Sequence, residues 1–152
     1  QLVDPRRTVP WTSVKIHGIH PEMLEGKPTI DEVLPRFQDF VKDTILVAHN
    51  AAFDMRFLQL KEEQTGVRFI NPVLDTLLLS AVVHPSHEDH NMEAIAIRLG
   101  VRILARHTAM GDAIATGEMF LKFLPLLSQQ KIYTLEEALA ASQKTFYARK
   151  QF

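Results

Sequence analysis

The sequence has no cysteine, no long apolar run and no strong excess of either charge. Without cysteine the chain forms neither disulfides nor thiolate metal sites, which suits a reducing compartment, and we expect a cytoplasmic protein. No apolar run approaches the ~20 residues of a membrane span and no signal peptide is visible, so we expect no membrane partner. A formal net charge of −1 argues against a protein that holds nucleic acid by a broad basic surface.

The composition is that of an ordinary globular domain, with 46% hydrophobic and 23% charged residues. A length of 152 residues allows one domain with a sizeable core. Strand patterns at residues 45–48 and 67–74 alternate with helical patterns, which predicts an α/β domain. A helix is also predicted from residue 109, and Pro125 is expected to bend or end it.

The most informative stretch is residues 44–58. The apolar residues 45–48 predict a buried strand, and Asn50 is a good N-cap for a helix that follows from Ala51. Asp54 therefore lies about one turn into a helix that starts where a strand ends. A carboxylate there is unfavourable unless a cation pairs with it. The alternative is a solvated aspartate that the helix dipole favours.

A second stretch, residues 107–116, places an imidazole near another carboxylate. Thr108 is a suitable N-cap for a helix from Ala109, so His107 lies in the preceding loop and Asp112 in the first turn. If Asp54 converges with them, the two carboxylates repel each other. A divalent cation removes that repulsion, and hard oxygen ligands suit Mg²⁺ or Mn²⁺.

Taken together, these stretches resemble the DEDDh family of 3′→5′ exonucleases, the proofreading type to which epsilon subunits belong. The resemblance is carried by His49, Asn50, Ala51, Phe53 and Asp54 in the family's middle motif, and by His107, Ala109, Gly111, Asp112 and Ala113 in its final motif. A third match is Ile-His-Gly-Ile at residues 16–19, which in the family follows the third strand, and residues 1–5 look like that strand. The resemblance covers nearly the whole chain.

The resemblance implies a ribonuclease H-like mixed sheet flanked by helices and a metal-dependent hydrolysis of phosphodiester bonds at nucleic-acid 3′ ends. Nucleoside 5′-monophosphates would be released by a two-metal mechanism with two Mg²⁺ or Mn²⁺ ions. Asp54 and Asp112 would be metal ligands, and His107 the general base. The implied partners are a single-stranded 3′ end, DNA in preference to RNA, and a polymerase subunit or fused domain.

By the same resemblance, Ile16, His17, Asn50 and Phe53 would line the pocket for the terminal nucleotide. For His17 the residues alone favour a different role, a polar side chain that stabilises a turn. For Phe53 two interpretations stay open, a core residue or a platform on which a base stacks.

One departure from the family pattern is large. The first motif, an Asp-x-Glu on the first strand, supplies two of the family's four acidic ligands, and no such pair precedes Ile16. We therefore expect residues 1–152 to be a single exonuclease domain that is incomplete at its N-terminus, without the first two strands. The alternative function is a non-catalytic nucleic-acid-binding or interaction module derived from a nuclease fold.

Residues 84–91, the three-histidine loop, suggest a third hypothesis. His84, His87 and His90 are spaced by three residues, and such a set can bind a transition metal. We favour a solvated polar loop whose Asn91 caps the next helix, because Pro85 argues against one helix aligning the three side chains.

Overall fold

The computed structural model describes residues 1–104 and 108–150, and the side chains up to residue 146. Its helices are α1 (Trp11–His17), α2 (Ile30–Val41), α3 (Ala51–Gln59), α4 (Glu62–Thr65), α5 (Thr76–Val83), α6 (Met92–Leu99), α7 (Ala109–Gln129) and α8 (Leu135–Lys150), with a 3₁₀ turn at Pro21–Leu24. Its strands are β1 (Leu46–Ala48) and β2 (Val73–Asp75). The chain divides into two compact units, Gln1–Thr44 with Met55–Asn71 and Ile45–Asp54 with Pro72–Phe152.

The first unit is organised around α2. Its N-terminus carries a capping box in which the Thr29 N–H donates to Glu32 Oε2 at 2.8 Å. Leu34 is buried on its inner face, and Gln64 of α4 donates to Asp31 at its first turn. This unit therefore joins its two main segments through α2 and α4.

The strand predicted at residues 1–5, in the first unit, is wrong. Residues 1–5 form no strand but a single parallel bridge, Asp4 to Thr29, in which the Asp4 N–H donates to the Pro28 carbonyl at 2.9 Å. Pro5 has no N–H with which to extend that ladder. Ile16 lies in helix α1, and Gly18 ends this helix in the left-handed conformation at φ 69°.

The second unit contains a two-stranded parallel sheet. Ala48 of β1 is in register with Asp75 of β2, so the residues that follow the two strands emerge at the same edge. The second predicted strand was placed at residues 67–74, whereas the ladder begins only at Val73. The predicted α/β class is confirmed, although β1 is half-buried rather than buried.

The core of the second unit lies between α5, α6, α7 and α8. Its most buried side chains are Leu79, Ile95, Met119 and Phe123. Pro125 does not end α7, which continues to Gln129. Buried residues on both sides of the proline explain this continuation, because their packing outweighs the missing backbone hydrogen bond. Within the described part of the chain, no helix combines the length and apolarity needed to cross a bilayer.

Candidate active site

A cleft of about 590 Å³ opens in the second unit beside the end of β1. It is lined by Val47, Ala48, His49, Asn50, Phe53, Asp54, Met92, Ala109, Asp112, Ala113 and Thr116. These residues come from β1, the turn that follows it, and helices α3, α6 and α7. The cleft therefore brings the middle motif and the described part of the final motif to one place.

Asp54 and Asp112 occupy equivalent positions, each the fourth residue of its helix. For α7 the predicted cap is confirmed, because Thr108 Oγ1 accepts the Gly111 N–H at 3.1 Å. Asp112 is half-buried, and its carbonyl accepts the Thr116 hydroxyl at 2.7 Å. Two helix N-terminal turns thus present a carboxylate each to the same cleft.

The electrostatic setting of Asp54 is unfavourable for its charge. Partial removal from water raises the pKa of this carboxyl above its ordinary 3.8, and the Asp75 carboxylate raises it further. A hydrogen bond from its own backbone N–H and the nearby His49 act in the opposite direction. A cation beside Asp54 would offset both the desolvation of its carboxylate and the repulsion from Asp75.

Asp75 holds the turn between β1 and α3. Its carboxylate accepts the N–H groups of Asn50 at 2.9 Å and of Ala51 at 3.0 Å, and it also caps α5 by accepting the Leu77 N–H at 2.9 Å. Asp75 is therefore the N-cap residue of α5. Asn50 precedes α3 as predicted, but the oxygen that receives the first helical N–H belongs to Asp75.

Thr76 fixes the neighbouring histidine of the middle motif. Its hydroxyl donates to the Ala48 carbonyl at 3.3 Å and lies 3.0 Å from His49 Nδ1. A hydroxyl has one proton to donate and can also accept, so Thr76 can bond both partners at once. Sequence reasoning missed both contacts. The signal was that residues 75–76, at the end of one strand, and residues 49–50, just after the other strand, lie at the same edge of the sheet.

The other pocket residues fall into two groups. In the second unit, Asn50 is exposed and Phe53 is 62% exposed in the cleft wall, so the interpretation of Phe53 as a core residue is wrong. In the first unit, Ile16 is 64% exposed on α1, and His17 Nδ1 accepts the Ile19 N–H at 2.9 Å. This bond is the turn-stabilising role that the residues alone favoured for His17. The predicted general base, His107, lies outside the described residues.

The three-histidine loop is held by hydrogen bonds within the protein. Buried His90 places Nδ1 2.8 Å from Ser80 Oγ and Nε2 2.8 Å from the His87 carbonyl. Both of its ring nitrogens are therefore engaged, which argues against the metal site of the third hypothesis. Asn91 caps α6 as predicted by accepting the Ala94 N–H at 2.7 Å.

The carboxylates of the cleft fit a hard divalent cation. Within residues 1–104 and 108–150, no group of three or more His, Cys, Asp or Glu side chains is arranged to hold a metal ion. Mg²⁺ is commonly held by only one or two protein carboxylates, with substrate phosphates and water completing its octahedron. Asp54 and Asp112 in an open cleft match that donor set, and Mn²⁺ accepts the same oxygen ligands.

The chain is similar to one protein family and to several known proteins. A family model described as Exonuclease matches residues 1–120. The DNA polymerase III subunit epsilon-like protein of Rhodobacter capsulatus is 47% identical over 145 residues, 94% of this chain and 21% of that protein. A PolC-type DNA polymerase III of Clostridium perfringens is 40% identical over 122 residues, 80% of this chain and 8% of that protein. The chain therefore spans about a fifth or less of the length of these relatives.

A solved structure shares the fold. Exonuclease X, in complex with 5′-overhanging duplex DNA, matches with a TM-score of 0.72 over 93% of this chain and 79% of that chain. The identity is 22%, so this likeness concerns the fold. It confirms the ribonuclease H-like α/β class predicted from the motifs.

Proposed function

We propose that this chain, which belongs to the Exonuclease family, is the catalytic module of a metal-dependent 3′→5′ exonuclease. It would hydrolyse phosphodiester bonds at nucleic-acid 3′ ends and release nucleoside 5′-monophosphates. The observation that carries the proposal is that Asp54 and Asp112, from separate helices, line one cleft. The family match and the exposed Phe53 in the same cleft support it.

Each of the proposed site residues has a separate role in the reaction. Asp54 and Asp112 hold the divalent cations, Mg²⁺ or Mn²⁺, which when bound supply positive charge at the phosphate. Water attacks the phosphorus of the terminal nucleotide, and His107 accepts the proton of that water. The bond from phosphorus to the 3′ oxygen of the penultimate nucleotide breaks, and that oxygen takes a proton from solvent water to become the 3′-hydroxyl of the shortened strand. Asn50 and Phe53, which line the cleft, contact the terminal nucleotide.

The proposed substrate is a single-stranded DNA 3′ end. The relatives named above are DNA polymerase III proteins, and proofreading acts on the 3′ end that a polymerase extends. A polymerase subunit or a fused polymerase domain is the corresponding partner.

The roles are tested by steady-state kinetics on a single-stranded DNA oligonucleotide with Mn²⁺. Asp54→Asn, Asp112→Asn and His107→Ala are each expected to lower kcat at least ~100-fold, because each removes a group that acts on the reacting phosphate. Glu118→Gln is the matched control, since Glu118 is an exposed acid on the same helix as Asp112. Near-normal turnover in Asp54→Asn and Asp112→Asn would sink the proposal.

The second candidate is a non-catalytic nucleic-acid-binding or interaction module. The observation that favours it is that, within residues 1–104 and 108–150, no group of three or more His, Cys, Asp or Glu side chains is arranged to hold a metal ion. A folded protein that binds the oligonucleotide and leaves it intact with either metal would establish this candidate instead.

A further inference from the structure

We propose that Asp75 is a positioning residue of the cleft, whose carboxylate fixes the start of α3 and thereby the place of Asp54. The proposal rests on the proposed function, because it concerns how a metal-binding carboxylate of that reaction is held. Asp75 itself is not among the residues that line the cleft. It acts through the backbone of the turn.

Three backbone N–H groups converge on this carboxylate. Oδ1 accepts from Asn50 and from Leu77, both at 2.9 Å, and Oδ2 accepts from Ala51 at 3.0 Å. Only the Leu77 bond belongs to the helix that Asp75 begins. The other two bonds reach back 24 and 25 residues to the turn that begins α3.

The turn needs such support. Asn50 has φ of 59°, in the left-handed region that residues other than glycine seldom adopt, although asparagine tolerates it better than most. Ala51 is the first residue of α3, and its N–H has no acceptor within its own helix. Asp75 satisfies both N–H groups at once, so one side chain fixes where α3 begins and in which direction it starts.

The neighbouring residue forms a second connection between the same two segments. Thr76 lies 3.0 Å from His49 Nδ1 and donates to the Ala48 carbonyl. The register that pairs Ala48 with Asp75 places residues 49–50 beside residues 75–76. The turn is thus held at two consecutive positions, and Asp54 follows it by one helical turn.

A small error in this turn should matter for turnover more than for substrate binding. Asp54 must meet Asp112 across the cleft, and misplacement of a reacting assembly by about 1 Å lowers rates by up to ~100-fold. Loss of the two distant bonds should therefore lower kcat, and it should raise the Mn²⁺ concentration that gives half-maximal activity.

Two variants separate the cap of α3 from the cap of α5. Asp75→Ser keeps a good N-cap for α5 but is too short to reach the distant turn. Asp75→Asn keeps the shape and one carbonyl oxygen, and it places an NH₂ group against a backbone N–H. The control is Thr134→Ala, which removes the N-cap of α8 in the same unit, outside the residues that line the cleft.

The experiment measures kcat, KM, the Mn²⁺ dependence and Tm for the three variants and the wild-type protein. Asp75→Ser is expected to lower kcat at least ~10-fold with KM changed less than ~3-fold. Its Tm should fall no further than that of Thr134→Ala. Asp75→Asn should show the same pattern with a smaller decrease. A kcat within twofold of the control would overturn the proposal.

A second readout does not depend on catalysis. Amide hydrogen exchange of Asn50 and Ala51 should be slow in the wild-type protein and fast in Asp75→Ser, while the Leu77 amide stays slow. Unchanged protection of the two turn amides would overturn the positioning role. If the wild-type protein cleaves nothing, the proposed function fails, and this exchange measurement still decides whether Asp75 holds the turn.

Discussion

At the scale of single residues, the charge of Asp54, which the proposed function needs, lowers the free energy of unfolding of the protein. Asp54 is exposed, but neighbouring atoms remove part of the water around its carboxylate and the Asp75 carboxylate repels its charge. Its raised pKa means that the folded protein binds a proton there at a pH where the unfolded chain does not. The resulting penalty on the free energy of unfolding is present above the raised pKa, and it disappears as the pH falls towards the ordinary value of 3.8.

We predict that Asp54→Asn raises Tm slightly at pH 7 in the presence of a chelator, because the amide has no charge to desolvate. The gain should vanish as the pH approaches 3.8, and added Mn²⁺ should stabilise the wild-type protein more than the variant. Thermal unfolding at both pH values measures this. A lower Tm of the variant at pH 7 would show that the Asp54 charge does not destabilise the folded protein.

Phe53 supplies a second prediction at this scale. A ring that is 62% exposed in the cleft wall suits base stacking. Phe53→Ala should raise KM for a single-stranded oligonucleotide roughly 5- to 150-fold, from ~1–3 kcal/mol per stacked base. Tm should change little. The control is Phe57→Ala, one turn further along the same helix and 57% exposed. Equal effects of both variants on KM would refute the stacking role.

At the scale of elements, capping and packing decide where α7 begins and how far it runs. Thr108 fixes its start, and this position was predictable because the cap is a local signal. Its continuation past Pro125 was not predictable from the local sequence, since it depends on packing against helices distant in the chain. Phe123 and Leu127 show this packing on either side of the proline.

We predict that Phe123→Ala lowers the free energy of unfolding by ~3–5 kcal/mol, because it leaves a cavity at a fully buried position. Leu121→Ala, on the same helix and 64% exposed, should change it by no more than ~0.5 kcal/mol. Urea denaturation of both variants checks the difference. A comparable loss in the two variants would mean that α7 does not pack as described.

At the scale of the whole molecule, the motifs predicted the fold class, and the two carboxylates that they singled out, Asp54 and Asp112, line one cleft. Each carboxylate follows a local signal in the sequence. Asp54 lies one helical turn after the end of a strand, and Asp112 lies one helical turn after an N-cap. The prediction of a strand at residues 1–5 was wrong, because a short apolar run does not show whether another strand pairs with it. The hydrogen bonds between residues 75–76 and residues 49–50 were not predicted, since strand register is not visible in one sequence.

The central claim is that this cleft removes nucleotides from a 3′ end with the help of a divalent cation. The most direct measurement uses one single-stranded DNA oligonucleotide, labelled in separate samples at its 5′ or 3′ end, with Mn²⁺ and with a chelator. We predict a ladder of shortening products from the 5′-labelled strand, immediate release of labelled mononucleotide from the 3′-labelled strand, and no cleavage with the chelator. Cleavage that begins at the 5′ end, internal cuts, activity that persists without metal, or no cleavage at all would contradict the claim.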